Sequence, residues 1–171
     1  MPEIIDHIPP QALADWRCWL QQQPVSELLC SRYARGRREC YYGLGVTLHK
    51  TPTVYVAEQA DRVQTLGDRY LPGWHSALLC EYHPGVGINP HRDHTCFAAW
   101  AVMVNFGQAD FVEYPSREKV ITPLSDGAIV RLNTKILHAV RPVQHLRYSL
   151  TFRQLKPEYQ PETGQQQALP I

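Results

Sequence analysis

Two histidines and an aspartate are the first side chains whose types and spacing could do chemistry. His91 and Asp93 are two residues apart, so on an extended segment both side chains project from one face. His138 follows 47 residues later, at the end of another apolar stretch. Two imidazoles and one carboxylate on one side of an ion form the facial triad that binds non-heme Fe(II) and leaves positions for a cosubstrate and dioxygen. Three further histidines compete for these roles: His83, His94 and His145.

Two arginines form the second group. Arg147 and Arg153 are six residues apart in an alternating segment, so both side chains lie on one face of a predicted strand. If that face lines a barrel, the guanidinium groups enter an apolar interior, where a buried charge is costly unless an anion pairs with it. A dicarboxylate is a suitable partner, because arginine presents a planar fork of N–H donors to each carboxylate. The alternative is a pair of surface arginines on an edge strand.

Short β-strands must position these side chains. From residue 75 onward, apolar segments separated by turn residues predict a mainly β domain of the sandwich or barrel type. The predicted strands are 77–82, 97–106, 111–114, 119–122, 127–132, 136–140 and 147–155. Helical spacing of apolar residues predicts two helices before them, over 11–23 and 57–70.

A basic and aromatic segment lies between the two predicted helices. Residues 31–50 hold five basic side chains against Glu39 alone, a local balance of five minus one, or +4, with tyrosines interleaved. Basic groups beside aromatic rings bind phosphates and stack on bases, so this segment is a candidate substrate lid. Its candidate substrate-binding residues are Arg37, Arg38, Tyr41 and Tyr42. A solvated hairpin with arginines extended along its surface is the alternative.

The composition limits the classes of function. The 171 residues fit one domain, and no window approaches the roughly 18 apolar residues of a membrane-spanning helix. The net charge of +1 gives no global attraction to nucleic acid or anionic lipid. Five cysteines without a C-x-x-C pair argue against a disulfide scaffold and a structural zinc site. With no export signal at the N-terminus, we expect a cytoplasmic monomer that does not bind membranes.

In their order along the chain, these motifs resemble the AlkB-like family of Fe(II)/2-oxoglutarate dioxygenases. The matching pieces are Y-x-P-G at residues 82–85, H-x-D at 91–93, Asp126-Gly127, His138 and R-Y-x-L-T-F-R at 147–153. Each piece alone is common, whereas the ordered combination is specific. The resemblance covers about residues 75–156, nearly half of the chain.

The resemblance implies a double-stranded β-helix, or jelly roll, supported on one side by the N-terminal helices. The implied Fe(II) ligands are His91, Asp93 and His138, and the implied 2-oxoglutarate ligands are Arg147, Arg153 and Tyr82. Arg147 and Tyr82 would hold the distal carboxylate, and Arg153 would lie near the metal-bound end. We expect one domain over 1–156, with a lid at 31–50, a catalytic core at 75–156 and a flexible tail at 157–171.

The sequence departs from the family pattern at three places. The family often has acidic side chains directly after H-x-D, where they contact the base, and here this stretch is His94-Thr95. Cys80 and Ser149 stand where the family has asparagine, so two amide groups are missing around the cosubstrate. We expect either weaker 2-oxoglutarate binding or water molecules that replace the amides.

Three functions remain open at this point. The resemblance favours oxidative dealkylation of a nucleic-acid base, with O2 consumed and succinate and CO2 released, and the basic segment supports it. Hydroxylation of a peptide, an amino-acid derivative or another small metabolite fits the near-neutral charge and the short chain. A non-catalytic jelly-roll binding module is the third.

Overall fold

The part of the chain that the structure describes consists of two antiparallel β-sheets, two α-helices and two single turns of 3-10 helix. The structure, a computed structural model, describes residues 2–27 and 34–161. The strands are β1 (Glu3–His7), β2 (Ser26–Glu27), β3 (Arg38–Thr47), β4 (Thr53–Val56), β5 (Ser76–Tyr82), β6 (Ile88–His91), β7 (Phe97–Phe106), β8 (Ala109–Glu113), β9 (Val120–Leu124), β10 (Ala128–Asn133), β11 (His138–Val140) and β12 (Arg147–Leu155). The helices are α1 (Pro10–Leu20) and α2 (Asp61–Tyr70).

The larger sheet has eight strands and the smaller sheet has four. The larger sheet runs in the order β1-β10-β7-β12-β5-β3-β2, with β4 paired to β3, and the smaller sheet runs in the order β6-β11-β8-β9. Two facing antiparallel sheets, with helices on one side, confirm the predicted mainly β jelly roll with supporting helices. Because β12 lies between β7 and β5, its arginines are not on an edge strand, and that alternative is wrong.

The alternation of side chains along β7 explains how the layers pack. Val102, Val104 and Phe106 face the helices, whereas Ala101 and Met103 face the smaller sheet. Trp16 of α1 packs on Phe106 with ring centroids 5.4 Å apart. The larger sheet is therefore buried on both faces, and its second face closes over the interior where the predicted site lies.

Several boundaries differ from the sequence predictions. Helix α1 ends at Leu20, three residues before the predicted end at Gln23, and α2 begins at Asp61 instead of Ala57. Strands β1, β4 and β6 were not predicted from the sequence, because β1 is mostly exposed and the other two have only four residues each. Of the predicted tail, residues 157–159 form one turn of 3-10 helix, and residues 162–171 lie outside the described part.

The segment predicted as a substrate lid is mainly a sheet strand. Residues 31–33 lie outside the described residues, and residues 38–47 form β3, which pairs with β5, β2 and β4. The hairpin alternative is met only in part, since β3 pairs with antiparallel β4, but β4 lies at Thr53–Val56, beyond the segment. Its solvated character is wrong, because Cys40, Tyr42 and Val46 are buried. The larger sheet thus includes four strands that precede residue 75.

Two further observations concern the whole chain. Within residues 2–27 and 34–161, no helix is long and apolar enough to cross a membrane. The four described cysteines, Cys18, Cys40, Cys80 and Cys96, are free thiols.

The packing of α1 gives a testable prediction for stability. Trp16→Ala removes a side chain that is 9% exposed, so we expect a loss of about 3–5 kcal/mol in the free energy of unfolding. Trp100 is 48% exposed, and Trp100→Ala serves as the control, with an expected loss below about 1 kcal/mol. Urea unfolding followed by circular dichroism measures both values. Equal losses in the two variants would contradict the packing described for α1.

Candidate metal centre

The three predicted metal ligands come together at one end of the smaller sheet. His91 is the last residue of β6, His138 is the first residue of β11, and the two are paired across the antiparallel ladder. Their ring centroids are 4.4 Å apart. Asp93 follows β6, and its backbone N–H donates to the Thr134 carbonyl at 3.0 Å, which anchors the loop. One ligand atom from each of the three side chains lies within 4.8 Å of the others.

Backbone carbonyls fix the orientation of both imidazoles. Nδ1 of His91 lies 2.9 Å from the Asn89 carbonyl, and Nδ1 of His138 lies 2.8 Å from the Ile136 carbonyl. A carbonyl only accepts, so each Nδ1 carries a hydrogen, and each Nε2 is the ring atom left to face the other donor atoms. Both Nε2 atoms lie 3.7 Å from Oδ1 of Asp93. The three donor atoms therefore converge on one point.

The electrostatics of the centre suit a divalent cation. Burial, and after it the neighbouring His138, lowers the pKa of His91 to about 4, so this ring is neutral at neutral pH. Burial alone would raise the pKa of Asp93, but Arg153 and His138 hold it below its usual value. Arg153 Nε donates to Oδ2 of Asp93 at 2.6 Å and leaves Oδ1 directed at the imidazoles. Two imidazoles and one carboxylate form a donor set that fits Fe(II).

A second set of side chains, on the larger sheet, fits an anion. Arg147 is fully buried, and its Nε donates to the Asn105 amide oxygen at 2.8 Å. The guanidinium carbon of Arg147 lies 4.6 Å from the ring centroid of Tyr82, the residue paired with Arg147 in the sheet. Burial lowers the pKa of Arg147, against the opposing effect of Tyr82. Arginine nevertheless stays charged.

Both arginines of β12 keep a buried N–H group without a partner. Nη1 of Arg147 and Nη1 of Arg153 have no hydrogen-bond acceptor among the described residues. Leaving a buried charged donor unpaired is costly, so each position favours an acceptor from a ligand. One arginine is buried beside Tyr82 and the other is bonded to a metal-ligand candidate, which fits a dicarboxylate that reaches the metal.

The four predicted substrate-binding residues separate onto opposite faces of β3. Arg37 Nη1 donates to the Tyr82 hydroxyl at 3.3 Å, and Tyr41 packs on the core between the sheets. Arg38 bonds instead to Glu81 and to a backbone carbonyl, and the Tyr42 hydroxyl donates to Gln23 in the helix-side core. The structure therefore does not support a substrate contact for Arg38 or Tyr42, because neighbouring residues of a strand face opposite ways.

The competing histidines lie outside this centre. His83 is 3.0 Å from Glu81 and its side chain is 53% exposed, while His94 Nδ1 accepts from the Cys96 backbone N–H at 3.2 Å. His145 lines a separate groove of about 840 Å³ that none of the three ligand candidates lines. Among the described residues, the metal-ligand group contains His91, Asp93 and His138 alone.

Sequence reasoning missed two polar residues of the site. Asn105 holds Arg147, and Glu39 is ion-paired with Arg37 through a side chain that is 5% exposed. Both carried a signal in the sequence, since Asn105 interrupts an apolar strand and Glu39 is the one acid of a basic segment. The sheet register places Glu39, Cys80, Ser149 and Asn105 side by side on four neighbouring strands.

Comparisons with known proteins agree with this architecture. No protein-family profile and no curated protein matches the sequence. Among solved structures, OsALKBH1 matches with a TM-score of 0.66 at 13% identity, covering 88% of this chain and 95% of that one. A 2OG-Fe(II) oxygenase family oxidoreductase from Burkholderia pseudomallei matches with a TM-score of 0.65 at 13% identity, covering 85% and 79%. A prolyl-4-hydroxylase from Pseudomonas putida matches with a TM-score of 0.61 at 12% identity, covering 91% and 92%.

These likenesses define the class of fold. The chain has the fold of the 2-oxoglutarate and Fe(II) oxygenases, with the predicted metal ligands at the end of the smaller sheet. Within that class the fold is AlkB-like, as the motifs of the sequence predicted.

The first prediction for the centre concerns its third ligand. We expect His138→Ala to weaken binding of Mn(II) or Fe(II) by more than about a hundredfold, because it removes one of three protein ligands. His145→Ala changes a histidine of the separate groove and should leave binding unchanged. Anaerobic metal titration followed by electron paramagnetic resonance or calorimetry measures the difference. Unchanged metal affinity in His138→Ala would move the metal site elsewhere.

The second prediction concerns the fork of Arg147. Arg147→Lys should raise the 2-oxoglutarate concentration needed for half-saturation by about tenfold or more, since a point ammonium cannot replace a planar fork. Arg131→Lys is the control, because Arg131 stacks on exposed Trp100. A cosubstrate titration of the metal-loaded protein gives both values. Identical titration curves for wild type and Arg147→Lys would refute this role.

Proposed function

We propose that the protein is an Fe(II)/2-oxoglutarate-dependent dioxygenase that oxidises a C–H bond of its substrate with release of succinate and CO2. One observation carries the proposal. The donor atoms of His91, Asp93 and His138 converge beside two arginines that each keep a buried N–H group without a partner among the described residues. A metal site alone has many explanations, and so does a pair of arginines alone. The two together between the same sheets fit a 2-oxo acid that chelates the metal.

The chain contributes binding, orientation and electrostatics to this reaction. When bound, Fe(II) and 2-oxoglutarate supply the chemistry that inserts one oxygen atom of O2 into the substrate. His91 and His138 hold the metal through Nε2, in the tautomer that the carbonyls of residues 89 and 136 fix. Asp93 remains a carboxylate because Arg153 bonds to its outer oxygen.

The larger sheet binds and orients the cosubstrate. Arg147, whose Nη1 has no partner among the described residues, and Tyr82 beside it would hold the distal carboxylate, and Nη1 of Arg153, beside Asp93, would donate to the other end of the cosubstrate. Apolar side chains close the surrounding interior, and the ring of Phe111 stacks on His138 with centroids 5.6 Å apart. These walls exclude water from the reacting groups, which strengthens every charged contact inside.

We infer an alkylated nucleic-acid base as the substrate. The AlkB-like fold favours this class, and Tyr41 on the interior face of β3 supplies an aromatic ring to the core between the sheets. Tyr41 and Tyr55 contact each other edge to face, with centroids 6.4 Å apart, and such rings suit base stacking. If the oxidised carbon is an N-methyl group, the hydroxymethyl product separates into formaldehyde and the free amine.

Hydroxylation of a peptide or a small metabolite is the second candidate. Arg37 and Glu39 are paired inside the protein, with side chains 12% and 5% exposed, which fits recognition of a small polar group better than an open phosphate groove does. Prolyl hydroxylases, including one in complex with a peptide fragment, share the fold. A non-catalytic binding module remains the third candidate.

Product analysis tests all three. The purified protein is incubated in air with Fe(II), 2-oxoglutarate and either methylated oligonucleotides or peptide and metabolite mixtures, and Asp93→Ala is the control. Succinate with formaldehyde from oligonucleotides supports base dealkylation. Succinate with a product heavier by one oxygen atom supports hydroxylation. No metal-dependent succinate with any substrate would refute the dioxygenase and leave the binding module.

A further inference from the structure

Arg37 and Arg147 flank the same tyrosine. Arg37 lies one residue before β3, and its Nη1 donates to the Tyr82 hydroxyl at 3.3 Å. Its guanidinium carbon is 5.8 Å from the Tyr82 ring centroid, and that of Arg147 is 4.6 Å from the same centroid. Two guanidinium groups, one from β12 and one from the residue before β3, therefore meet at one phenol.

This cluster has unpaired donors. Nε of Arg37 and Nη1 of Arg147 are buried and have no hydrogen-bond partner within the described chain. The Tyr82 oxygen accepts from Arg37, and a guanidinium offers no acceptor in return, so the hydroxyl hydrogen is available to a ligand. Three donors in one buried place call for a group that only accepts, and a carboxylate is such a group.

The charges of the cluster match a single carboxylate. Glu39 is ion-paired with Nη2 of Arg37, which orients the guanidinium and removes one unit of charge. Two arginines minus one glutamate leave a charge of +1 beside Tyr82. A second carboxylate, from a ligand, neutralises the remainder and satisfies the unpaired donors.

The position of Glu39 relates this cluster to the two missing amides. In the sheet register Glu39 lies beside Cys80, and Cys80 lies beside Ser149, the two positions where the family pattern has asparagine. Thiol and hydroxyl groups donate less to an anion than two amides do. Arg37, a charged donor next to Arg147 in this cluster, offsets that loss.

We propose that Arg37, oriented by Glu39, is a third donor to the distal carboxylate of 2-oxoglutarate and selects 2-oxo acids that carry this carboxylate. The inference rests on the proposed function, since it deepens the cosubstrate site of that reaction. It moves Arg37 from the substrate side to the cosubstrate side of the interior. Glu39 acts through Arg37 and is a positioning residue.

Binding to the Mn(II)-loaded protein tests the role without turnover. Arg37→Gln should weaken 2-oxoglutarate binding, measured by calorimetry, by about tenfold to a hundredfold, as expected for a lost charge-assisted hydrogen bond. Binding of pyruvate, which has no distal carboxylate, should change by less than about twofold. Arg38→Gln is the matched control, because it removes the same charge one residue away on the opposite face of β3. It should leave both affinities unchanged.

Two further variants separate contact from folding. Arg37→Lys keeps the charge without the fork, so its loss of 2-oxoglutarate affinity should be smaller than that of Arg37→Gln. Glu39→Gln keeps Arg37 but loosens its orientation, and it should also weaken 2-oxoglutarate binding and spare pyruvate. A variant that merely fails to fold would lose both ligands.

The outcomes distinguish this inference from the proposed function. If wild-type protein loaded with Mn(II) binds no 2-oxoglutarate, the proposed function is wrong and the role of Arg37 falls with it. If wild type binds and Arg37→Gln binds equally well, only the role of Arg37 is wrong. Equal weakening of 2-oxoglutarate and pyruvate by Arg37→Gln would also overturn it, because the contact would then not involve the distal carboxylate.

Discussion

The contact between Asp93 and Arg153 is the interaction on which the site depends. Asp93 follows β6 of the smaller sheet, and Arg153 lies on β12 in the middle of the larger sheet. Their 2.6 Å hydrogen bond is part-buried and joins the two layers at the metal-ligand group. Removing one partner of such a pair leaves a buried charge, which typically costs about 3–5 kcal/mol. The pair therefore fixes both the spacing of the sheets and the rotation of the carboxylate.

The two sheets divide the chemistry between them. The smaller sheet and its following loop carry the candidate metal ligands, and the larger sheet carries the arginines, Tyr82 and Glu39. This division follows from side-chain alternation, since one face of β12 is polar at residues 147, 149, 151 and 153 while its other face packs under the helices. Charged side chains can lie between these apolar layers because each of them is ion-paired or hydrogen-bonded.

Much of this arrangement could be predicted from the sequence. Strands β7 and β12 have the predicted bounds because their apolar alternation is continuous, and the spacing of His91 and Asp93 requires only an extended chain. Ten residues of the predicted lid form strand β3, in which Arg38 pairs with Glu81 of β5 and Glu39 pairs with Arg37, and neither pairing is visible in the local sequence. The face of each β3 side chain depends on its register with β5, which no local pattern contains. Arg38 and Tyr42 were therefore grouped with Arg37 and Tyr41.

The backbone carbonyls that hold the two imidazoles affect the cost of binding a metal ion. Each ring is held by the backbone two residues earlier in its own chain segment, at Asn89 and at Ile136. Each ring therefore loses its rotational freedom when the protein folds. Metal binding does not have to order the ring and carries no second entropic cost for it. Because the acceptors are main-chain atoms, exchange of neighbouring side chains leaves this preorganisation intact. Substitutions of the surrounding side chains can therefore change the substrate preference while the backbone keeps both imidazoles in the same orientation.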